Sequence, residues 1–277
     1  MENLEESFKN ASYLPNSEIL TLSQLAIKLG KPILIEGPPG TGKTSLAKAL
    51  ANVLNTQLYR IQCYEGITAE QVIGEFNYQK QLLQIELNKG KSESNIFTTE
   101  FFIPRPLLQV LQAKQSVVLL LDEIDRADEE FEAFLLEALG ENQVTIPELG
   151  TIHANSQPIV ILTSNATREL SGALRRRSLF LALDYPSAER ELEIVKIHVP
   201  NLEEEIYHKI VNLVRNIRKN NNISQPPSIS ETIELAQSLL ILGKDVIEKD
   251  RINEILGLLV KNNADIDALK LQLSKSS

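Results

Sequence analysis

The sequence predicts an α/β fold: an αβα sandwich on a five-stranded, mostly parallel sheet, followed by a small all-helical domain. Three observations carry this. Short aliphatic runs alternate with helical segments up to Pro186. A glycine-rich turn joins the first such run to the first amphipathic helix. Beyond Pro186 the strand-like runs stop and only helical periodicity remains. At roughly 150 residues per domain, the 277 residues make about two domains. The expected division is residues 1–187 for the α/β core and 188–277 for the helical part.

Taken in order, Ile33-Leu34-Ile35 is an apolar run between Pro32 and Gly37, the pattern of a buried strand. Residues 44–54 carry Leu46, Leu50, Val53 and Leu54 on one helical stripe. Residues 58–64 alternate apolar and polar, as a half-buried strand does. Residues 117–121 are five consecutive aliphatics, the mark of a central parallel strand. Residues 159–162 and 179–183 complete the five. Residues 144–152 read as a hairpin whose turn includes Pro147 and Gly150. In the second domain, Ser187 opens a helix to residue 199, and residues 202–217, 230–242 and 250–261 are amphipathic. The breaker-rich stretch 220–227 separates two of these helices.

Composition excludes several classes. Hydrophobic residues make up 43% and charged residues 23%, so the chain is neither disordered nor collagen-like. Acidic residues outnumber basic ones, 37 to 28, and the net charge of −9 argues against nucleic acid as partner. The single Cys63 cannot make an internal disulfide, and His153, His198 and His208 show no metal-ligand spacing. No apolar run approaches the ~18 residues that cross a bilayer, and no basic leader opens the chain. The expectation is a cytoplasmic protein with no membrane association.

The strongest chemical signal is Gly37-Pro38-Pro39-Gly40-Thr41-Gly42-Lys43-Thr44, in which four residues separate Gly37 from the Gly-Lys-Thr triplet. This is the phosphate-binding loop pattern, in its required setting between a buried strand and a helix. Glycines let backbone close on a phosphate, and the helix start aims free N–H groups and a positive dipole end at the anion. Lys43 would reach the β- and γ-phosphates, and the Thr44 hydroxyl would ligate Mg²⁺. The nucleotide-contacting stretch extends through Ser45.

The aliphatic run 117–121 leads directly into Asp122-Glu123. Successive strand side chains point opposite ways, so the two carboxylates can take different tasks. Asp122 would hold Mg²⁺, and Glu123 would polarise the attacking water. The acidic residues from Asp128 onward, Glu132 among them, are expected in a helix first turn or on a solvent face. Guanine-specific loops carry an Asn-Lys-x-Asp box; Asn88-Lys89-Gly90-Lys91 lacks the aspartate, which favours ATP.

With these motifs, Asn165 at the end of residues 159–165, and Arg175-Arg176-Arg177, the chain resembles an AAA+ ATPase. Residues 61–66, 121–135, 144–151 and 173–186 are similar to the MoxR family, and within it to the CoxD-like branch. The resemblance implies ATP and Mg²⁺ as cofactors. It implies that Asn165 is the sensor of the γ-phosphate or attacking water. It implies that Arg176 or Arg177, with Arg177 aligning best, is an arginine finger acting on the neighbouring subunit's ATP. A finger in trans implies a ring, expected to be a hexamer. Residues 66–102 resemble the family's helix-2 insertion, with a flexible tip at 89–95, and 143–158 its pre-sensor hairpin. Residues 188–277 would form the helical lid. The family's second sensor arginine is missing, since no basic residue lies between Lys219 and Lys244. CoxD-like proteins are linked to maturation of molybdenum hydroxylases such as carbon monoxide dehydrogenase, with a von Willebrand factor A partner. A client metalloenzyme is therefore the partner expected. The competing expectations are a non-catalytic ATP-binding assembly scaffold and a DNA-associated motor.

Overall fold

The computed structural model describes residues 2–87, 95–243 and 252–275, without the side chains of residues 2, 3 and 272–275. The described residues fall into two compact units. Met1–Ala11, Pro15–Gly37 and Lys43–Ala182 belong to the first; Ser12–Leu14, Pro38–Gly42 and Leu183–Ser277 belong to the second.

The first unit opens with α1 (Glu2–Asn10) and α2 (Ser17–Leu29), ahead of the first aliphatic run, where no element is expected from the sequence. Asn16 starts α2 by accepting a hydrogen bond from the Ile19 N–H at 2.7 Å. Then come β1 (Ile33–Glu36), α3 (Lys43–Val53) and β2 (Leu58–Gln62). Between β2 and the next sheet strand lie α4 (Ala69–Ile73), β3 (Gly74–Phe76), α5 (Tyr78–Leu87), β4 (Phe102–Pro104) and α6 (Pro106–Gln112). Apart from Asn95, the tip expected at 89–95 lies outside the described residues. The unit continues with β5 (Val118–Asp122), α7 (Glu129–Gly140), β6 (Gln143–Ile146), β7 (Gly150–His153), β8 (Ile159–Ser164), α8 (Gly172–Arg177) and β9 (Leu179–Ala182).

The five expected strands form one sheet in the order β2-β5-β8-β1-β9, and every pairing is parallel. β5 and β8 are buried along their whole lengths, which is why they read as unbroken aliphatic runs. β6 and β7 form a separate antiparallel hairpin, and β3 and β4 a second small pair. Register places the C-terminal ends of neighbouring strands side by side: Gln62 pairs with Asp122, and Glu36 with Ser164. Gly37, Asp122 and Asn165 therefore emerge along one sheet edge, where parallel α/β sheets place their ligands.

The second unit has no strand among its described residues. It contains α9 (Ala188–His198), α10 (Glu204–Arg218), α11 (Ile229–Leu242), α12 (Leu256–Leu259) and α13 (Asn263–Lys275). The helix expected over 250–261 is a correction. Asp250 and Arg251 lie outside the described residues, and the rest is a 3-10 turn (Ile252–Glu254) and the four-residue α12. Ile252, Ile255, Leu256, Leu259 and Val260 are all buried at the i, i+3, i+4, i+7, i+8 spacing of one apolar stripe, although the backbone is not a single helix. Among the described residues no helix is long and apolar enough to cross a membrane.

Candidate functional site

The glycine-rich loop leaves β1 at Glu36, with the Gly37 N–H donating to Ser164 O at 3.2 Å. Gly40 and Gly42 have φ of +70° and +92°, a region that side chains with a Cβ rarely enter. Gly40 is also sterically required, since a Cβ there would lie 2.0 Å from the Ser228 hydroxyl oxygen. Thr41 is buried and donates from its hydroxyl to Pro38 O at 2.9 Å, which closes the loop on itself. The chain then enters α3 at Lys43. Thr44 follows, and Ser45 is exposed on the same helix.

Lys43 is buried, and its ammonium donates to Gly37 O at 2.6 Å and to Asn165 Oδ1 at 2.8 Å. Burial lowers its pKa from the ordinary lysine value, and the carboxylates of Asp125, Asp122 and Glu123 oppose that. A buried ammonium at the start of a helix is a site that gains from an arriving anion. The Thr44 hydroxyl donates to the Asp122 carboxylate at 3.1 and 3.2 Å. Asp122 is buried and also accepts from the Thr163 hydroxyl at 2.5 Å and from Arg60 at 2.6 and 3.0 Å.

Glu123 leaves the strand geometry at once, with φ +56°, in the left-handed region. Its N–H donates to Thr163 Oγ1 at 2.9 Å, and its carboxylate accepts from Arg126 at 3.1 Å. A non-glycine residue in this conformation costs of order 1–3 kcal/mol and persists only where its surroundings impose it. Here the kink separates the two carboxylates: Asp122 points into buried surroundings, while Glu123 is one-third exposed.

Asn165 follows β8 and is held from behind by Asp125. That carboxylate accepts the Asn165 N–H at 3.2 Å, the Thr167 N–H at 2.9 Å and the Thr167 hydroxyl at 2.7 Å. Burial alone would raise the Asp125 carboxyl, but the Thr167 and Asn165 hydrogen bonds prevail and hold it below the ordinary value. Burial, with the same group of acids, pushes the Cys63 thiol up to about 12, so it is an inert side chain beside the site.

The structure thus brings together Gly37, Lys43, Thr44, Asp122 and Asn165, with Glu123 beside them. Arg176 and Arg177 are exposed at the end of α8, and Arg177 donates to Leu136 O at 3.3 Å. Arg175 is committed elsewhere, 2.7 Å from Glu36 Oε2 and over the Phe180 ring. Asp128 caps α7 through the Phe131 N–H at 2.8 Å, as the acidic run implied. Glu132 lies in the first turn of α7, within the expectation, and there it is buried and paired with Arg168 and the Ser171 N–H.

Arg60, Thr163 and Asp125 were not among the sequence candidates. Thr163 carried a faint signal, as a hydroxyl inside an aliphatic strand. Arg60 and Asp125 carried none, because the partner of Arg60 lies on another strand and those of Asp125 lie just past the end of β8.

The residues fit a nucleotide phosphate chain: a loop with two left-handed glycines, a helix start and a buried ammonium. Thr44 and Asp122 fit Mg²⁺, which takes hard oxygen donors and leaves further positions to water and phosphate. Among the described residues no group of three or more His, Cys, Asp and Glu could hold a metal by itself.

Residues 32–178 match the AAA domain of the dynein-related subfamily, slightly more than half of the chain. An uncharacterized protein of Staphylococcus saprophyticus is 26% identical over 245 residues, covering 84% of this chain and 88% of that protein. The gas vesicle ATPase GvpN of Haloferax mediterranei is 25% identical over 217 residues, covering 73% of this chain and 61% of that protein. Among solved structures, a form of Thermotoga maritima RuvB superposes with a TM-score of 0.54 at 19% identity. That match covers 87% of this chain and 67% of RuvB, and it shows a shared fold.

Proposed function

Because the chain belongs to the AAA-domain family, dynein-related subfamily, and is an ATPase, we propose that it is a MoxR-type enzyme. In this reading it hydrolyses Mg²⁺-bound ATP in a ring, expected to be hexameric, and uses the cycle to remodel a partner protein. The observation that carries the catalytic part is the 2.8 Å contact between the Lys43 ammonium and Asn165, with Thr44 and Asp122 joined alongside.

Each residue then has a task. The loop from Gly37 to Ser45 wraps the phosphates, and Lys43 exchanges its present acceptors for phosphate oxygens. Thr44 and Asp122 would hold Mg²⁺, which supplies charge neutralisation on the phosphates when bound. Asn165 orients the attacking water or the γ-phosphate, and Glu123 draws a proton from that water. The exposure of Arg176 and Arg177 supports a finger offered to another subunit, with Arg177 preferred. Arginine suits that task because its charge is permanent and its donors are forked.

The client is the least defined part. Residues 61–66, 121–135 and 173–186 support the CoxD-like branch. Within it, the partner would be a von Willebrand factor A protein and the client a molybdenum hydroxylase of the carbon monoxide dehydrogenase type. The net charge of −9 supports a protein partner over nucleic acid, and the lone buried Cys63 supports a cytoplasmic setting.

Two variants test the catalytic reading. Lys43→Ala is expected to abolish nucleotide binding, and Glu123→Gln to bind ATP without turning it over. Unchanged ATP affinity in Lys43→Ala would overturn the phosphate-loop assignment. Proteins that co-purify with the Glu123→Gln form identify the client.

A further inference from the structure

The Asp122 carboxylate has a cationic partner from the neighbouring strand, Arg60. β2 pairs with β5 in parallel register, Arg60 opposite Leu120 and Gln62 opposite Asp122. Side chains opposite one another, and those two residues apart on one strand, share a face of the sheet. Arg60 therefore runs up the same face that carries Asp122. Its Nε lies 3.0 Å and its terminal nitrogen 2.6 Å from the same oxygen, Asp122 Oδ2. That terminal nitrogen also donates to Gln62 Oε1 at 2.5 Å. The other carboxylate oxygen, Oδ1, receives the hydroxyls of Thr163 at 2.5 Å and Thr44 at 3.1 Å.

The two ends of this pair differ in freedom. The Asp122 side chain is 5% exposed, and a buried carboxylate without a counter-charge is costly. The Arg60 side chain is 50% exposed, on a long flexible stem beside solvent. Its guanidinium cannot shed its charge by deprotonation, so it can leave only by swinging away. A divalent ion held by Thr44 and Asp122 would face this fixed positive charge at close range, and like charges repel.

We infer that Arg60 is a resident counter-cation of Asp122: it holds the carboxylate in the metal-free protein and competes with Mg²⁺ for it. This rests on the proposal that Asp122 and Thr44 hold the ion. Arg60 acts through Asp122, so it is a positioning residue. The contact is an exchange. Either the guanidinium or the metal satisfies Asp122 Oδ2, and metal loading sends the Arg60 side chain towards Gln62 and solvent. Magnesium affinity is then set partly by a residue outside the two sequence motifs.

The test is a Mg²⁺ titration of binding by a fluorescent ATP analogue, run on wild type, Arg60→Gln and Arg60→Lys. Glutamine keeps donors and removes the charge. The Mg²⁺ concentration for half-maximal effect should fall about three- to tenfold in Arg60→Gln, as expected for one partly screened charge. It should stay near wild type in Arg60→Lys. Analogue affinity in EDTA should be the same in all three. Thermal melting without nucleotide gives a second readout: Arg60→Gln should melt lower than wild type without metal and be raised by Mg²⁺ alone. An unchanged or increased Mg²⁺ requirement in Arg60→Gln overturns the inference, because a purely orienting arginine would weaken metal binding when removed. Asp122→Asn separates the two levels. If it keeps the Mg²⁺-dependent increment, the assignment of Asp122 itself falls; if it loses the increment while Arg60→Gln is unaltered, only the role of Arg60 falls.

Discussion

Asp125 does no proposed chemistry, yet it holds the residue that does. Three donors from Asn165 and Thr167 converge on its Oδ2, while Oδ1 is buried without a hydrogen-bond partner. Asp125→Ala should therefore cost about 1–3 kcal/mol, the penalty for stranding buried donors, measured by urea unfolding. It should also lower ATP turnover by releasing Asn165 from Lys43, with nucleotide affinity less affected. Turnover equal to wild type in a folded Asp125→Ala would remove Asn165 from the mechanism. The pH sign follows from its lowered pKa. A carboxyl depressed in the folded state contributes fully above its ordinary value of 3.8, and that contribution is lost as pH falls through the lower folded value. Asp125→Asn should accordingly flatten this part of the acid limb. At this scale the legible residues were those fixed by spacing along the chain, Gly37 to Thr44 and Asp122-Glu123. Arg60 and Asp125 were not legible and Thr163 only faintly so, because they act only once β2, β5 and β8 lie side by side.

Elements show the same division between local and non-local information. Each of the five sheet strands announced itself as an aliphatic or alternating run, since burial on a sheet writes directly into composition. In the stretch 250–261 periodicity located the buried residues but not the backbone, which makes a 3-10 turn at Ile252–Glu254 and an α-helix only at Leu256–Leu259. A further feature invisible to periodicity joins three helices at one buried acid. Glu191 of α9 accepts both terminal nitrogens of Arg218 of α10 at 2.6 and 2.7 Å, and the Thr232 hydroxyl of α11 at 2.7 Å. Arg218 also donates to Pro227 O at 2.6 Å and lies 4.7 Å from the centre of the Tyr185 ring. Glu191→Ala leaves that guanidinium buried and half-paired, so it should destabilise the helical unit by about 3–5 kcal/mol. Glu191→Leu with Arg218→Met, which removes both charges, should recover most of the loss. Urea unfolding followed by circular dichroism measures both. A loss below about 1 kcal/mol in Glu191→Ala would mean that water reaches and solvates the Arg218 guanidinium in place of the carboxylate.

For the molecule as a whole, the opposition of charges matters more than their sum. The chain is acidic, with net charge −9, yet the exposed end of α8 presents Arg176 and Arg177 together. An acidic surface disfavours nucleic acid, whose binding would show as a steep salt dependence. A small basic cluster on such a chain instead suits one local anion, which in the proposed ring would be the ATP of the next subunit. A finger acting in trans is worth about 10³–10⁵ in rate, so Arg177→Ala should lose most turnover while keeping ATP affinity. Lys43→Ala loses turnover for the complementary reason, since its own site is empty while its α8 arginines are intact. Mixing the two variants creates interfaces where an intact nucleotide site meets an intact finger. Turnover of the mixture should therefore exceed that of either variant alone, and specific activity of the wild type should rise with protein concentration. If the mixture stays inactive while Arg176→Ala with Lys43→Ala recovers, the finger is Arg176. If neither pair recovers, and activity is independent of concentration, hydrolysis is completed within a single chain and the ring is not needed for catalysis.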